Sequence, residues 1–301
     1  DRISPRTRIK LMSKIRCVVE EKFLVGESPR WNEDEQTLYW VDIYKPSIER
    51  LNPISGERRT WLMPERIGCF SFCRDGRIIA GMQSGIAFID LEAGSVERVY
   101  DLVPGNPEIR FNDGRCDHQG RFWVGSVIES MDQRCNALYR YNADGSCRQM
   151  VDDLICSNGL AFSPDGTILY HSDSRQDYVW GWDLDPITGA IANRRVFIAN
   201  DPMEGRPDGA TVDADGYYWI CYVGAWRVAR IAPNGTVDRV IGVPAQRPTA
   251  CTFGGPDLQT LYITTATFPL SNAALTKQPL AGSLLAFNAN VRGLPEHRFA
   301  N

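Results

Sequence analysis

The sequence predicts an all-β fold, a six-bladed β-propeller with a metal site at one end of its central channel. Two observations carry the fold. A turn of the form Asp/Gln-Gly followed by an apolar strand recurs as Asp75-Gly76, Gln119-Gly120, Asp165-Gly166 and Asp215-Gly216. That period of about 40–50 residues points to an array of like units. Each unit holds short runs of Val, Ile, Tyr, Trp and Phe between Gly, Asp, Asn and Pro turns, with no long 3.6-residue helical pattern. A third observation carries the site. Eight residues before those glycines stand Gly68, Asn112, Asn158 and Asp208. Laying Leu38-Tyr39 and Leu261-Tyr262 on Leu169-Tyr170 adds Glu27 and Ala250 at the same repeat position. Packing alone would not choose this set; it reads as oxygen donors gathered around a shared axis.

The elements follow in order. The first unit reads as strands 37–43, 47–51 and 57–61, with a turn at Pro53-Ile-Ser-Gly56. The fourth repeats it as strands 167–173, 178–182 and 194–197, with a turn at Asp185-Pro-Ile-Thr-Gly189. Strand-only units of this length suit four-stranded blades. Innermost strands are expected near 27–32, 68–73, 112–117, 158–163, 208–213 and 250–254. Residues 17–22 are expected to close the ring against the C-terminal strand 283–287. Two longer loops, 104–110 and 268–279, are placed to overhang the channel mouth. Residues 1–16 read as a leader or extension outside the core, with Met12-Ser-Lys resembling a natural start. Residues 17–301 read as one propeller domain.

Composition narrows the partners. A net charge of −4 lacks the basic excess that nucleic acid or an anionic membrane would want. No apolar run approaches the roughly 18 residues of a membrane span, and the basic start has no apolar core behind it. The nine cysteines include no C-x-x-C pair. They read as buried free thiols in a reducing cytoplasm, and Cys69, Cys73, Cys221 and Cys251 sit in apolar strand contexts. The expectation is a cytoplasmic monomer or weak oligomer acting on a small molecule.

In a propeller, the first residues of all innermost strands meet at one end of the channel, so equal repeat position means convergence in space. Taken singly, Asn158-Gly159, Asp208-Gly209 and Asn112-Asp113-Gly114 are ordinary turns, and Glu27 is an ordinary loop carboxylate. Converging carboxylates repel one another unless a cation or protons lie between them. An oxygen-only set of Glu, Asn and Asp suits a hard divalent cation such as Ca²⁺, Mg²⁺ or Mn²⁺. Other schemes fare poorly. His118 lies in a turn, His297 in a charged tail, and His171 reads as a packed or surface strand residue. The sequence has no G-x-S-x-G, H-E-x-x-H, P-loop or G-x-G-x-x-G. A glycosidase carboxylate pair would leave the amides without a task.

Several motifs in order resemble the regucalcin/gluconolactonase (sugar lactonase) family. They are Gly26-Glu-Ser-Pro-Arg-Trp31, Arg110-Phe-Asn-Asp-Gly114, Ser157-Asn-Gly-Leu-Ala-Phe-Ser-Pro-Asp-Gly166, Pro207-Asp-Gly-Ala-Thr-Val-Asp213 and Cys251-Thr-Phe-Gly-Gly-Pro-Asp257. The resemblance runs from about Cys17 to Phe287 and implies the same six-bladed propeller. It implies that Glu27, Asn158 and Asp208 bind one divalent cation, Ca, Mg, Mn or Zn. It places Asn112 beside metal and substrate, and Arg110 on substrate oxygens. The family carries acidic residues after the Gly-Thr-Met-type turn of blade three. Here Gly125-Ser-Val-Ile-Glu-Ser130 offers Glu129 as a substrate ligand, and Ser130 stands where a second acid is usual.

The expected reaction is metal-dependent hydrolysis of a sugar lactone (an aldonolactone such as glucono-, arabinono- or xylonolactone) to the aldonic acid. Asp208 is the expected general base; an alternative leaves it to orient the nucleophile. Two rival readings come from other classes. A propeller metal can equally polarise a P=O bond, which would make the protein a phosphotriester hydrolase with an apolar, aromatic mouth. A saturated metal would instead suit a non-enzymatic calcium-binding protein.

Overall fold

Within each unit, runs of β-branched and aromatic residues pair through tight turns into an antiparallel sheet. The computed structural model describes residues 15–102, 106–199 and 205–301. Six four-stranded sheets stand around one axis as a six-bladed propeller. Blade 1 comprises Gly26–Asn32, Thr37–Asp42, Ser47–Leu51 and Arg58–Leu62, from the channel outward. The innermost strands of blades 2 to 6 are Ile67–Phe72, Ile109–Cys116, Ser157–Phe162, Arg206–Val212 and Pro248–Gly254. These innermost strands are almost wholly buried. The outermost strand Arg58–Leu62 is largely exposed, and its charged side chains blunt the free edge.

Ring closure follows the expected pairing. Arg16–Val19 forms the outermost strand of blade 6, with Arg16 opposite Ala286 and Cys17 opposite Leu285. The extension expected over residues 1–16 lies, as far as residue 14, outside the described residues, as do residues 103–105 of the loop before Arg110. The other long loop carries a short helix, Asn272–Lys277, capped by Ser271.

The core sits between the blades. Among the described residues it divides into six apolar clusters, each drawn from two neighbouring blades. Trp219 and Val228 of blade 5, for example, pack on Phe253 and Leu285 of blade 6. Val19 and Tyr262 of blade 6 pack on Trp31 and Trp40 of blade 1, so an apolar cluster spans the seam as it does the other interfaces. Each fully buried Leu or Phe there contributes about 1.5–3 kcal/mol.

Buried ion pairs tie the turns down. Asp117 Oδ2 accepts from Trp123 Nε1 at 2.8 Å and Arg121 Nε at 2.6 Å. Asp213 Oδ2 does the same with Trp219 Nε1 and Arg230 Nε, both at 2.8 Å. The C-terminal segment crosses the far end of the channel. Gly293 bridges Asp213 and Phe299 bridges Cys73, at the ends of two innermost strands. Between them Glu296 approaches Arg115 at 3.3 Å and Arg30 at 3.8 Å. The strand starts are therefore the end at which a site is formed.

Candidate active site

Every innermost strand shifts register at or just after the repeat position read from the sequence. The shifts fall between Glu27 and Arg30, Ile67 and Cys69, Phe111 and Gly114, Asn158 and Ala161, Pro207 and Ala210, and Pro248 and Cys251. A bulge re-aims a side chain out of the pleat. In blades 1 and 4 the residue after the bulged donor is left-handed: Ser28 at φ 49° and Gly159 at φ 62°. The strands begin one to three residues before the expected starts, because pairing continues on both sides of the bulge.

Gly68 and Ala250 share the register for a different reason. A Cβ on Gly68 would lie 2.3 Å from the Phe111 carbonyl oxygen and 2.6 Å from that of Asn112. The Cβ of Ala250 faces Gly209, where a Cβ would come within 2.4 Å. Close backbone approach, rather than metal chemistry, explains the two members of the set without an oxygen donor.

The other four positions converge. Glu27, Asn112, Asn158 and Asp208 line one cavity of about 400 Å³, together with Arg110 and Glu129. Glu27 and Asn158 are buried, and Asp208 is half-buried. Asn158 donates Nδ2 to Ser174 Oγ at 2.9 Å, and Ser28 N donates to Glu27 Oε2 at 2.6 Å. Burial raises the Glu27 pKa well above the carboxylate range, and Asp208 and Asp113 add to it. Burial likewise holds Asp208 up at about 7, with Arg247 opposing and Asp113 reinforcing the shift.

Those shifts test the fit of a cation. Two desolvated carboxylates with Asp113 nearby raise one another's pKa, and a hard divalent cation relieves that repulsion. The residues present therefore fit one. Among the described residues no group of three or more His, Cys, Asp or Glu forms a metal cluster; the donor set here is two carboxylates and an amide.

Another part of the lining is an ion-pair network. Arg110, buried at 2% exposure, donates Nε to Glu129 Oε1 at 2.6 Å and Nη1 to Asn112 Oδ1 at 2.8 Å. Asn112 in turn donates Nδ2 to the Ser157 carbonyl at 2.9 Å, so its amide is held at both ends. Arg66 Nη1 reaches Glu129 Oε1 at 2.9 Å, and the Tyr44 hydroxyl donates to Oε2. Burial pushes the Glu129 carboxyl up, but Arg110, Tyr44 and Arg66 outweigh it and hold it below its ordinary value. Glu129, rather than Ser130, faces the cavity; Ser130 Oγ donates to Asp132 Oδ1 at 2.5 Å.

With this geometry in view, the comparisons with known proteins are direct. Residues 25–267 match the family model described as the SMP-30/Gluconolactonase/LRE-like region. The chain belongs to this family. A 6-deoxy-6-sulfogluconolactonase of Pseudomonas putida is 39% identical over 95% of this chain and 98% of its own length. A regucalcin of Danio rerio is 35% identical, with the same coverage. The crystal structure of a calcium-binding protein, regucalcin, from Agrobacterium tumefaciens superposes with a TM-score of 0.92 at 26% identity, covering 96% of this chain and 98% of that one.

Several cavity residues of this family member escaped the repeat register. Tyr44, Cys156, Arg175, Arg206, Arg247 and Phe268 also line the cavity. Of the histidines, His171 is packed in the core with Nε2 2.8 Å from Ser157 Oγ. His118 and His297 lie ring against ring, 4.0 Å apart, beside the C-terminal segment. None lines the cavity. All nine cysteines are free, and six of them are buried. Among the described residues no helix is long and apolar enough to cross a membrane.

Proposed function

We propose that this protein hydrolyses a sugar lactone to its aldonic acid, using a divalent cation held by Glu27, Asn158 and Asp208. The observation that carries the reading is the meeting of these three donors, from blades 1, 4 and 5, with the Arg110–Asn112 pair of blade 3 in one cavity. Membership of a family whose relatives include a named sulfogluconolactonase supports it.

When bound, the cation supplies a Lewis acid at the lactone carbonyl. Asp208, at the edge of the cation site, takes the proton of the attacking water. The water oxygen adds to the carbonyl carbon. The bond from that carbon to the ring oxygen then breaks, and the ring oxygen leaves as a hydroxyl after taking the proton that Asp208 accepted. Asn112, clamped between Arg110 and Ser157, presents a fixed amide to the substrate hydroxyls. Arg110, whose Nε and Nη1 serve Glu129, Asn112 and the Phe111 carbonyl, lines the same cavity and is the second group proposed for the substrate oxygens.

The test is hydrolysis of glucono-, arabinono- and xylonolactone by metal-stripped protein, with Ca²⁺, Mg²⁺, Mn²⁺ and Zn²⁺ each restored, for wild type and Asp208→Ala. Metal-restored turnover lost in the variant supports the reading. Tight metal binding without turnover of any lactone points instead to a binding protein, and an active Asp208→Ala removes Asp208 as the base.

A further inference from the structure

The cavity has two unlike sides. On one, Arg110 and Arg66 are matched to the Glu129 carboxylate at 2.6 and 2.9 Å. On the other, Arg175, Arg206 and Arg247 converge from blade 4, blade 5 and the entry to blade 6. Among the described residues, no carboxylate lies within ion-pair distance of Arg175 or Arg247. The Arg247 Nε is buried without a hydrogen-bond partner. Burial lowers the Arg247 pKa, and although Asp208 opposes this, Arg206 and Arg175 lie near enough to lower it further. Arg175 and Arg247 are half-buried and Arg206 is exposed; like charges gathered where water is partly excluded are costly unless an anion neutralises them.

Charge matching across the cavity gives the same answer. Four guanidiniums (Arg110, Arg175, Arg206 and Arg247) face three carboxylates (Glu27, Glu129 and Asp208), an excess of one positive charge. A divalent cation on Glu27 and Asp208 would leave the cavity more positive still. A neutral lactone would leave that charge unanswered.

We propose that Arg175, Arg206 and Arg247 form a subsite for a fixed anionic group on the lactone, a sulfonate, phosphate or carboxylate remote from the ring carbonyl. The proposal deepens the lactonase reading and rests on it. Guanidinium forks suit tetrahedral and planar oxyanions because they donate two parallel hydrogen bonds. A cavity of about 400 Å³ has room for a lactone ring and one such group. Binding at this wall positions the carbonyl against Asp208, so remote charge is converted into rate at the reacting carbon.

The experiment compares kcat/KM of the metal-loaded protein on D-glucono-1,5-lactone, its 6-phosphate and a 6-sulfonate. Wild type, Arg175→Gln and Arg175→Lys are measured at low and high salt, with thermal unfolding as a check on folding. The expected result is a preference of about 10–100-fold for an anionic lactone that salt weakens. That preference collapses in Arg175→Gln and partly returns in Arg175→Lys; the sulfonate and phosphate arms show which anion fits better. Turnover of the neutral lactone as good as that of both anionic ones overturns the subsite while leaving the lactonase reading intact. If no lactone is hydrolysed, the lactonase reading fails and calorimetry on 6-phosphogluconate and gluconate tests the subsite alone. Tighter binding of the phosphate, lost in Arg175→Gln, supports it; equal binding overturns it. Arg206→Gln gives a second reading should Arg175→Gln not fold.

Discussion

Asp42 and Asp173 hold equivalent places in blades 1 and 4, and each uses both carboxylate oxygens to pin the chain just ahead of a candidate metal ligand. Asp42 accepts from Leu24 N at 2.8 Å and Val25 N at 3.1 Å, three and two residues before Glu27. Asp173 accepts from Ile155 N at 2.7 Å and Cys156 N at 3.1 Å, the same distances in sequence before Asn158. Both also cap the turn that follows, Asp42 through Tyr44 N and Asp173 through Arg175 N. One buried carboxylate thus links the approach of a ligand to the wall of the cavity.

Asp173→Asn should therefore weaken metal binding without touching a ligand. An amide turns one acceptor into a donor that faces backbone N–H groups, so the approach to Asn158 loosens. Metal affinity measured by calorimetry should fall about 10–100-fold, as for other residues that hold metal ligands in place. Asp42→Asn should match it through Glu27. Wild-type affinity in both variants would remove the pinning role.

Protonation and metal should compete at Glu27 and Asp208. Asp208 rises from an ordinary value of 3.8 to about 7 in the folded, metal-free protein, and Glu27 shifts the same way. For a raised carboxyl, the stabilising contribution is complete below the unfolded value and is lost as pH rises through the folded one. The metal-free protein should therefore lose stability between about pH 4 and pH 7, by up to about 1.4 kcal/mol per pH unit from Asp208, with Glu27 acting in the same direction. A cation reverses the balance by favouring the charged carboxylates. The rise in Tm on adding Mn²⁺ or Ca²⁺ should be larger at pH 8 than at pH 5.5. An equal rise at both values would place the cation elsewhere.

Register made four cavity residues legible. Glu27, Asn112, Asn158 and Asp208 stand at one repeat position, and the bulge that turns them inward recurs in every blade. Blade number and ring closure were readable too, because turn dipeptides and apolar runs recur at a steady spacing. Arg175, Arg206 and Arg247 were not, since they sit outside that register in loops and at a strand edge whose convergence depends on the folded ring. The partners of Arg110 were hidden for a similar reason. Nothing local in the sequence says that a guanidinium expected on the substrate is largely engaged by Glu129 and Asn112.

That engagement separates two arginines that share one carboxylate. The Arg110 side chain is 3% exposed and Arg66 is 35% exposed, while both reach Glu129 Oε1. Arg110→Ala strips a buried partner from Glu129 and from Asn112, and should cost about 2–4 kcal/mol in urea unfolding. Arg66→Ala removes a half-solvated pair and should cost less than about 1 kcal/mol. Comparable losses would mean that the Arg110 contacts are not the ones that stabilise this wall.

Gly68→Ala examines the repeat position from the opposite direction. Sequence register alone treats Gly68 as a ligand position that lacks a ligand, which makes a methyl group harmless. The structure puts the carbonyl oxygens of Phe111 and Asn112 at 2.3 and 2.6 Å from the added Cβ, and the Asn112 Cα at 2.9 Å. All three are backbone atoms of the neighbouring innermost strand, so no side chain can swing aside to relieve the clash. The strand must move, at a cost of about 1–3 kcal/mol for overpacking. Its displacement would also shift Asn112, whose amide is fixed between Arg110 and Ser157. The variant should unfold at a lower temperature, and its KM for the lactone should rise more than its metal affinity falls, because Asn112 is not among the three donors proposed for the cation. Loss of metal binding with KM unchanged would instead assign Asn112 to the cation.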